Sequence, residues 1–126
     1  MTHKLVINGR IKTLNEYISA LNASKYKGAQ LKRDEETKIS AAIWQQLRGV
    51  RIEAPVFIVF NWHCKDKKFD KDNIAAAKKF CLDALVTCGT LKNDTWERIV
   101  GFSDNFYVDK NNPKVEIYIK EVENEL

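Results

Sequence analysis

One stretch of this sequence joins a pair of acidic residues to the start of a helix. Asp70 and Asp72 are two positions apart, and apolar residues with helical spacing follow them up to Leu85. Acids in this position are typical of the point where a strand or loop passes into a helix. On one continuous helix, about 100° per residue places Lys79 and Asp83 within about 20° of Asp72, opposite the apolar residues. The stretch therefore predicts a helix with one buried face and one charged face.

Two interpretations of these acids stay open at this point. Asp and Asn before a helix are common caps, because they accept hydrogen bonds from free N–H groups and complement the helix dipole. Mg²⁺, in contrast, is commonly held by a few carboxylates together with water and substrate phosphate. Asp94, which follows a turn containing Gly89, has the chemistry to join Asp70 and Asp72 in such a set. The nearby lysines and this third acid favour a metal site.

The order of residues from Asp70 to Asp104 resembles the RusA family of Holliday-junction resolvases, endonucleases that cut four-way DNA junctions with Mg²⁺. The shared pattern is Asp-x-Asp-Asn at 70–73, a lysine on the following helix, Asp-Ala-Leu at 83–85, a turn with glycine, Asn-Asp at 93–94, and a strand. The resemblance implies a RusA-like α+β fold and structure-selective hydrolysis of phosphodiester bonds in DNA recombination or repair. It also implies Mg²⁺ without a small-molecule cofactor, and a homodimer bound to branched DNA.

The resemblance assigns roles to individual residues. The implied metal ligands, which are also catalytic residues, are Asp70, Asp72 and Asp94. Lys79 becomes the catalytic or phosphate-facing lysine. Asn73 becomes a supporting residue behind the site. Asp83, four residues from Lys79, becomes the orienting partner of that lysine rather than a metal ligand.

The chain departs from the family pattern at two places. The family has its lysine one helical turn after the second acid, where this chain has Ala76, and three extra residues precede Asp83. Counting back four residues from Asp83 selects Lys79, with Lys78 as the alternative. In the family, a second Asp commonly stands next to the acid at this position, where this chain has Asn93. A role shared by two neighbouring carboxylates is therefore in doubt here.

Basic residues surround these acids in the sequence, and they could contact DNA phosphates with release of counterions. A solvated surface is the ordinary alternative for such a cluster. The candidates for DNA contacts are Lys32, Arg33, Lys65, Lys67, Lys68, Lys71 and Lys78. Two other functions remain: a non-catalytic DNA-binding module of the same fold, and another Mg²⁺-dependent phosphohydrolase. The scattered glycines argue against a nucleotide-binding loop.

Composition excludes other classes of protein. A chain of 126 residues that is 44% hydrophobic and 30% charged should form one soluble domain spanning 1–126. Its three cysteines and two histidines lack the spacing of a zinc site. No apolar run reaches the length of a membrane span, and free thiols without an export signal predict a cytoplasmic protein. The net charge of +4 permits nucleic-acid binding without requiring it.

Hydrophobic periodicity predicts the order strand, helix, helix, strand, helix, strand, strand. The two strands at the C-terminal end are expected to pair antiparallel, with helices packed on one face. This predicts an α+β two-layer domain with a mixed or antiparallel sheet. The expected segments begin with a strand at 4–7, a helix from Thr13 with capping-box spacing to Glu16, a mobile connection at 22–29, a helix at 31–47, and a strand at 54–60 covered on both faces. They continue with an extended stretch at 100–108 that a bulge or bend interrupts near Gly101 and Asp104, a half-buried strand at 115–119 with alternating apolar residues, and a fraying tail at 121–126.

If the substrate is a four-way junction, as the resemblance implies, its symmetry also favours a homodimer. A four-way junction has a two-fold axis and must be cut on two opposed strands, which suits a dimer with an isologous interface. The helix at 31–47 and the apolar edge near Phe106 and Tyr107 are candidate interfaces.

Overall fold

The computed structural model describes residues 1–123, which form four strands and four helices. They are β1 (Thr2–Asn8), α1 (Leu14–Ala23), α2 (Lys25–Leu47), β2 (Val56–Cys64), α3 (Lys71–Ala75), α4 (Lys78–Thr87), β3 (Ile99–Val108) and β4 (Lys114–Glu121). This is an α+β domain with one mixed sheet, as the periodicity predicted. The predicted tail lies partly in β4, and residues 124–126 are outside the described part of the chain.

The sheet has the strand order β1-β4-β2-β3. Strand β4 is antiparallel to both β1 and β2, whereas β3 lies at the edge and runs parallel to β2. The prediction that the last two strands pair with each other is therefore wrong. The chain between β2 and β3 contains two helices, and a connection of this kind returns the chain to form a parallel pair. The short turn after β3 then crosses the end of β2, where the Asp109 N–H donates to the Cys64 carbonyl at 2.7 Å.

Burial alternates along β2 and β4, so the helices cover one face of the sheet. Val56, Ile58, Phe60 and Trp62 are buried, while the residues between them are only half-buried. The prediction that this strand is covered on both faces is wrong, because a sheet in a two-layer domain has one core face. Its long apolar run reflects a central position with a partly shielded outer face.

The first two helices meet at a tight corner. Thr13 and Glu16 form the predicted capping box at the start of α1. Helix α2 begins at Lys25 because the Ser24 side chain accepts a hydrogen bond from the Lys27 N–H at 3.0 Å. The segment predicted as a mobile connection at 22–29 is therefore mostly helical. Gly28 makes this corner possible, since a Cβ there would collide with Leu21.

The predicted helix after Asp70 is divided in two. The N–H groups of Ala77, Lys79 and Phe80 each bond to the carbonyl three residues earlier, which tightens the backbone between α3 and α4. The apolar face is preserved across this break, with Cys81 and Leu85 fully buried. Further on, a register shift opposite Phe57 leaves Val100 as an extra residue, so the interruption predicted near Gly101 is confirmed as a bulge. The interruption predicted near Asp104 is wrong, because pairing with β2 is regular there. Within residues 1–123, no helix is long and apolar enough to cross a membrane.

The two edges of the sheet differ in their protection. The side-chain amide of Gln46 on α2 accepts from the Val6 N–H at 2.7 Å and donates to the Val6 carbonyl at 2.8 Å. This amide occupies the outer edge of β1 in the way that a neighbouring strand would. Edge strands expose unpaired backbone groups that promote association, and natural proteins commonly cover them.

Replacing Gln46 by Ala should therefore lower stability and uncover the β1 edge. Two partly solvated hydrogen bonds are lost, so we expect a decrease of about 1 kcal/mol in the free energy of unfolding, measured by urea denaturation. Gln45→Ala is the matched control, because Gln45 is an exposed neighbour on the same helix. Equal stability of the two variants would show that the Gln46 contact with β1 contributes nothing.

Candidate functional site

Asp70 and Asp72 present unpaired carboxylates at the start of α3. Asp70 occupies the N-cap position, but its side chain makes no capping hydrogen bond. Within residues 1–123, neither carboxylate forms an ion pair or a side-chain hydrogen bond. Neither side chain thus caps the helix through a hydrogen bond, although Asp72 lies in the first turn, where its charge complements the helix dipole. Both carboxylates are therefore available to bind a cation.

Asn73 fixes the position of these acids. Its side chain is buried, and its Oδ1 accepts a hydrogen bond from the Asn15 backbone N–H at 2.8 Å. Asn15 lies in the first turn of α1, where backbone N–H groups have no partner within the helix. This contact ties the start of α3 to the start of α1. A role of Asn73 behind a catalytic site stays a prediction.

A groove beside α3 brings the two acids together with basic and aromatic side chains. Asp70, Asp72, Lys67 and Lys71 line it, opposite residues 106–108 of β3. The Lys71 Nζ lies 5.8 Å from the centre of the Phe106 ring. Two of the predicted DNA-contacting lysines therefore border the same groove as the unpaired acids.

The third predicted ligand, Asp94, lies in the loop that precedes β3. Asp94 lines a different surface depression, together with residues 95–97 of its own loop and with Phe102 of β3. Phe102 and Phe106 are four residues apart on the strand, which corresponds to about 13 Å. In the described part of the chain, no three His, Cys, Asp or Glu side chains are grouped as for a metal ion. The structure brings Asp70 and Asp72 to one groove and leaves Asp94 outside it.

Lys79 connects Asp94 to the charged face of α4. Its Nζ lies 2.9 Å from Asp83 Oδ1 and 3.5 Å from Asp94 Oδ2. The hydrogen bond to Asp83 is the main cause of a raised Lys79 pKa, and Asp94 adds to it. Asp83 also pairs with Lys32 of α2 at 3.5 Å. The four-residue spacing between Lys79 and Asp83 thus forms the contact that the sequence predicted, with 65% of the Lys79 side chain still exposed.

Lys78 points in a different direction, toward the sheet. Its Nζ lies 2.5 Å from Asp104 Oδ2, and 5.0 Å and 5.6 Å from the ring centres of Phe102 and Phe60. The other oxygen of Asp104 accepts a hydrogen bond from Trp62 Nε1 at 2.8 Å. Only about a fifth of each charged side chain is exposed. Lys78, predicted as a DNA contact, is therefore held in a half-buried ion pair in the free protein.

Asp104 and Trp62 were missed as site residues by sequence reasoning. A signal for Asp104 was available, because Phe102, Asp104 and Phe106 alternate along β3 and must share one face of the sheet. A carboxylate between two aromatic residues on the helix-facing side requires a cation and hydrogen-bond donors. Lys78 and Trp62 supply these, and Trp62 lies in β2 beside β3.

The remaining basic residues divide between two locations. Lys65 and Lys68 line a second cavity, which shares Cys64, Asp66, Phe69 and Ile74 with the groove of the acids. Lys32 and Arg33 lie on α2, where Arg33 donates to Gln30 at 3.0 Å. Four of the predicted DNA contacts, Lys65, Lys67, Lys68 and Lys71, are therefore near Asp70 and Asp72.

Comparison with known proteins does not assign a family to this chain. No protein-family model matches the chain, and no curated protein is significantly similar to it.

The two neighbouring lysines should differ in their effect on stability. Lys78→Ala leaves the half-buried Asp104 carboxylate without its cation, so we expect the free energy of unfolding to fall by about 1–2 kcal/mol. Lys79→Ala removes an exposed side chain that solvent screens, and should cost less than about 0.5 kcal/mol. Urea denaturation of both variants measures this difference. A larger loss for Lys79→Ala would show that the ion pair of Lys78 with Asp104 does not stabilise the fold.

Proposed function

We propose that this protein is a Mg²⁺-dependent endodeoxyribonuclease that acts on branched DNA and resolves Holliday junctions by paired hydrolysis of phosphodiester bonds. The observation that carries the proposal is the pair of unpartnered carboxylates, Asp70 and Asp72, in a groove bordered by lysines. The sequence pattern from Asp70 to Asp104, which resembles the RusA family, supplies the reaction and the substrate.

The donor set of the groove suits a hard cation. Mg²⁺ binds oxygen ligands and often uses only one or two protein carboxylates, with water and substrate phosphate completing the shell. Asp70 and Asp72 would hold it, and Asp94 remains a proposed ligand whose carboxylate now pairs with Lys79. When bound, the ion would lower the pKa of a water molecule and offset charge on the phosphate. Asn73 keeps the two acids in place through its bond to α1.

The lysines near the groove are suited to hold the DNA backbone. Lys67 and Lys71 border the acids, and Lys65 and Lys68 line the adjoining cavity. Without them, the negative carboxylates would repel the phosphates. Each ammonium–phosphate contact releases counterions, so binding should weaken as salt rises.

Lys79 is the proposed phosphate-facing lysine, beside Asp94 and outside the groove of Asp70 and Asp72. It is mostly exposed and already contacts Asp94, whereas the Lys78 ammonium is occupied by Asp104. Asp83 keeps the Lys79 side chain directed along α4 and favours its charged form, as the raised pKa indicates. A fixed positive charge of this kind stabilises negative charge that develops on the phosphate oxygens.

Asp70→Asn and Asp72→Asn should each abolish Mg²⁺-dependent cleavage of a synthetic four-way junction, with a loss of at least about 100-fold. Removing a carboxylate charge weakens cation binding but leaves the lysines that hold phosphate. Junction binding, measured by gel shift in Ca²⁺ or EDTA, should therefore be retained. Asp34→Asn is the matched control, since Asp34 is an exposed acid on α2 that contacts Gln30.

The same assay separates the alternative functions. Cleavage of duplex or nucleotide substrates in preference to the junction would indicate a different phosphohydrolase. Junction binding by the wild-type protein without cleavage in Mg²⁺ or Mn²⁺ would indicate a non-catalytic binding module. Full cleavage by either Asp variant at low Mg²⁺ would refute the assignment of these acids.

Lys79→Ala should reduce the rate of cleavage by about 100-fold while changing junction affinity little, because the lost charge acts on the reacting phosphate. Lys27→Ala, at an exposed position early in α2, provides the control for loss of one lysine. Single-turnover cleavage and gel shift of both variants give the comparison. If Lys79→Ala weakened binding and spared the cleavage rate, Lys79 would be an ordinary backbone contact.

A further inference from the structure

A second cavity adjoins the groove of the acids, and part of its lining belongs to the hydrophobic core. It has a volume of about 220 Å³ and lies where β2 ends, beside the loop that leads to α3. Ile11, Trp62 and Val115 line this cavity, and each is at most 4% exposed. Phe69 and Ile74 line both the cavity and the groove, so the two spaces share this wall. An apolar interior therefore lies directly beside the two acids.

The aromatic side chains of this lining are held in place by the protein itself. The Trp62 indole N–H donates to Asp104 at 2.8 Å, which fixes the orientation of the ring. The Arg10 guanidinium carbon lies 4.9 Å from the centre of the Phe69 ring, and Arg10 donates to both carboxylate oxygens of Glu16. A binding surface that is already ordered loses less conformational entropy when a ligand arrives. The cavity is thus preformed for a flat apolar group.

Positive charge exceeds negative charge among the residues that line the cavity. Lys65 and Lys68 are exposed, and within residues 1–123 neither forms an ion pair. Asp66 is the only lining acid in this part of the chain, and its side chain accepts a hydrogen bond from the Lys68 backbone N–H at 3.0 Å. Arg10 and Lys114 also line the cavity, although each pairs with an acid nearby. A ligand with an anionic group next to an apolar body would match this arrangement.

Volume and lining together indicate the class of ligand. Sites for drug-sized molecules commonly occupy about 300–1,000 Å³, so a cavity of about 220 Å³ suits a smaller molecule with one ring system. A nucleotide has such a ring system beside a phosphate, and the faces of all four bases stack on aromatic side chains. Several classes of DNA enzyme move one base out of the stack into a pocket lined by aromatic and apolar side chains. The second cavity has these properties.

We propose that this second cavity binds a single unstacked base of the DNA strand whose phosphate lies in the groove of Asp70 and Asp72. The inference rests on the proposed function and adds a base-binding site to it. Phe69 lines the cavity and the next residue, Asp70, lines the groove, with consecutive Cα atoms about 3.8 Å apart. One nucleotide and its neighbour can therefore occupy both spaces. Lys65 and Lys68 then hold phosphates next to the base.

Branched DNA is a favourable source of such a base. Moving a base out of the duplex costs least where the base is already unpaired. Pairing is weakest at the branch point, where the strands exchange partners. Stacking on Phe69 offsets the remaining cost of extruding the base.

Cys64 provides a probe of this cavity in the unmodified protein, because its side chain lies on the same face of β2 as Trp62. Burial raises the pKa of its thiol, so alkylation is measured at mildly alkaline pH. When a deoxynucleoside 5′-monophosphate fills about nine tenths of the sites, alkylation should slow about 10-fold, because only the free protein reacts. Deoxyribose 5-phosphate, which lacks the base, should leave the rate unchanged. Cys88 lies outside the cavity and gives the internal control, read separately by peptide mass spectrometry.

A set of four-way junctions that each carry one abasic site near the branch point tests whether DNA supplies the base. Binding is measured by gel shift in Ca²⁺ or EDTA, so no cleavage is required. At one position, loss of the base should weaken binding about 10-fold, which is the effect expected from one stacked base. Phe69→Ala should weaken binding of the intact junction by a similar factor and should abolish the effect of that abasic site, because both changes remove the same contact. Tyr26→Ala, which removes an exposed aromatic ring from α2, is the matched control.

Three results would contradict these assignments. Equal protection of Cys64 by deoxyribose 5-phosphate would show that the site binds phosphate alone, and would overturn the proposal. An abasic scan with no position coupled to Phe69 would also overturn it. Phe69→Leu, which keeps the side chain apolar but removes its flat face, replaces the alanine variant if that variant does not fold. Absence of junction binding by the wild-type protein would refute the proposed function instead, and protection of Cys64 would then decide by itself whether the cavity takes a base.

Discussion

The parallel pairing of β2 with β3 determines where the candidate functional residues lie. Because these strands are parallel, the chain between them must cross one face of the sheet, and it does so as α3 and α4. The crossing places Lys71 of α3 beside Phe106 and Lys78 of α4 beside Phe102. Lys71 and Lys78, the first residues of α3 and α4, therefore both lie along β3. This connection places the groove of Asp70 and Asp72 beside residues 106–108 of β3. Asp94, paired with Lys79, lies in a separate depression near the start of the strand.

The ion pair of Lys78 with Asp104 attaches α4 to this strand. Its charges are only about one-fifth exposed, and the Trp62 indole N–H satisfies the second carboxylate oxygen. A half-buried pair is favourable only when its remaining hydrogen-bonding positions are satisfied, which is the case here. The contact leaves Lys79, the next residue, on the solvent side, where it meets Asp83 and Asp94. Lys78 and Lys79 point about 100° apart around the helix, so Lys78 pairs with the sheet while Lys79 faces solvent.

The arrangement of the sheet edges has a related origin. Strand β4 lies between β1 and β2, so β1 and β3 become the outer strands. Helix α2 passes close enough to β1 for Gln46 to cover it, whereas the helices near β3 lie over its face and leave its outer edge open. The same crossover that positions the acids therefore leaves β3 as an outer strand of the sheet.

Local sequence patterns determined most of the elements and several of their details. The capping box at Thr13, the alternation of β4 and the bulge near Gly101 depend on neighbouring residues, so the sequence alone predicted them. The four-residue spacing likewise predicted the contact of Lys79 with Asp83. Strand order was decided by tertiary structure, because the five-residue turn after β3 allows β4 to pair either with β3 or with β2 on the far side of it. The positions of Asp70 and Asp72 apart from Asp94, and the pairing of Lys78 with Asp104, also depend on contacts between residues distant in sequence. No local period encodes those contacts, since they arise only when α3 and α4 pack on β3.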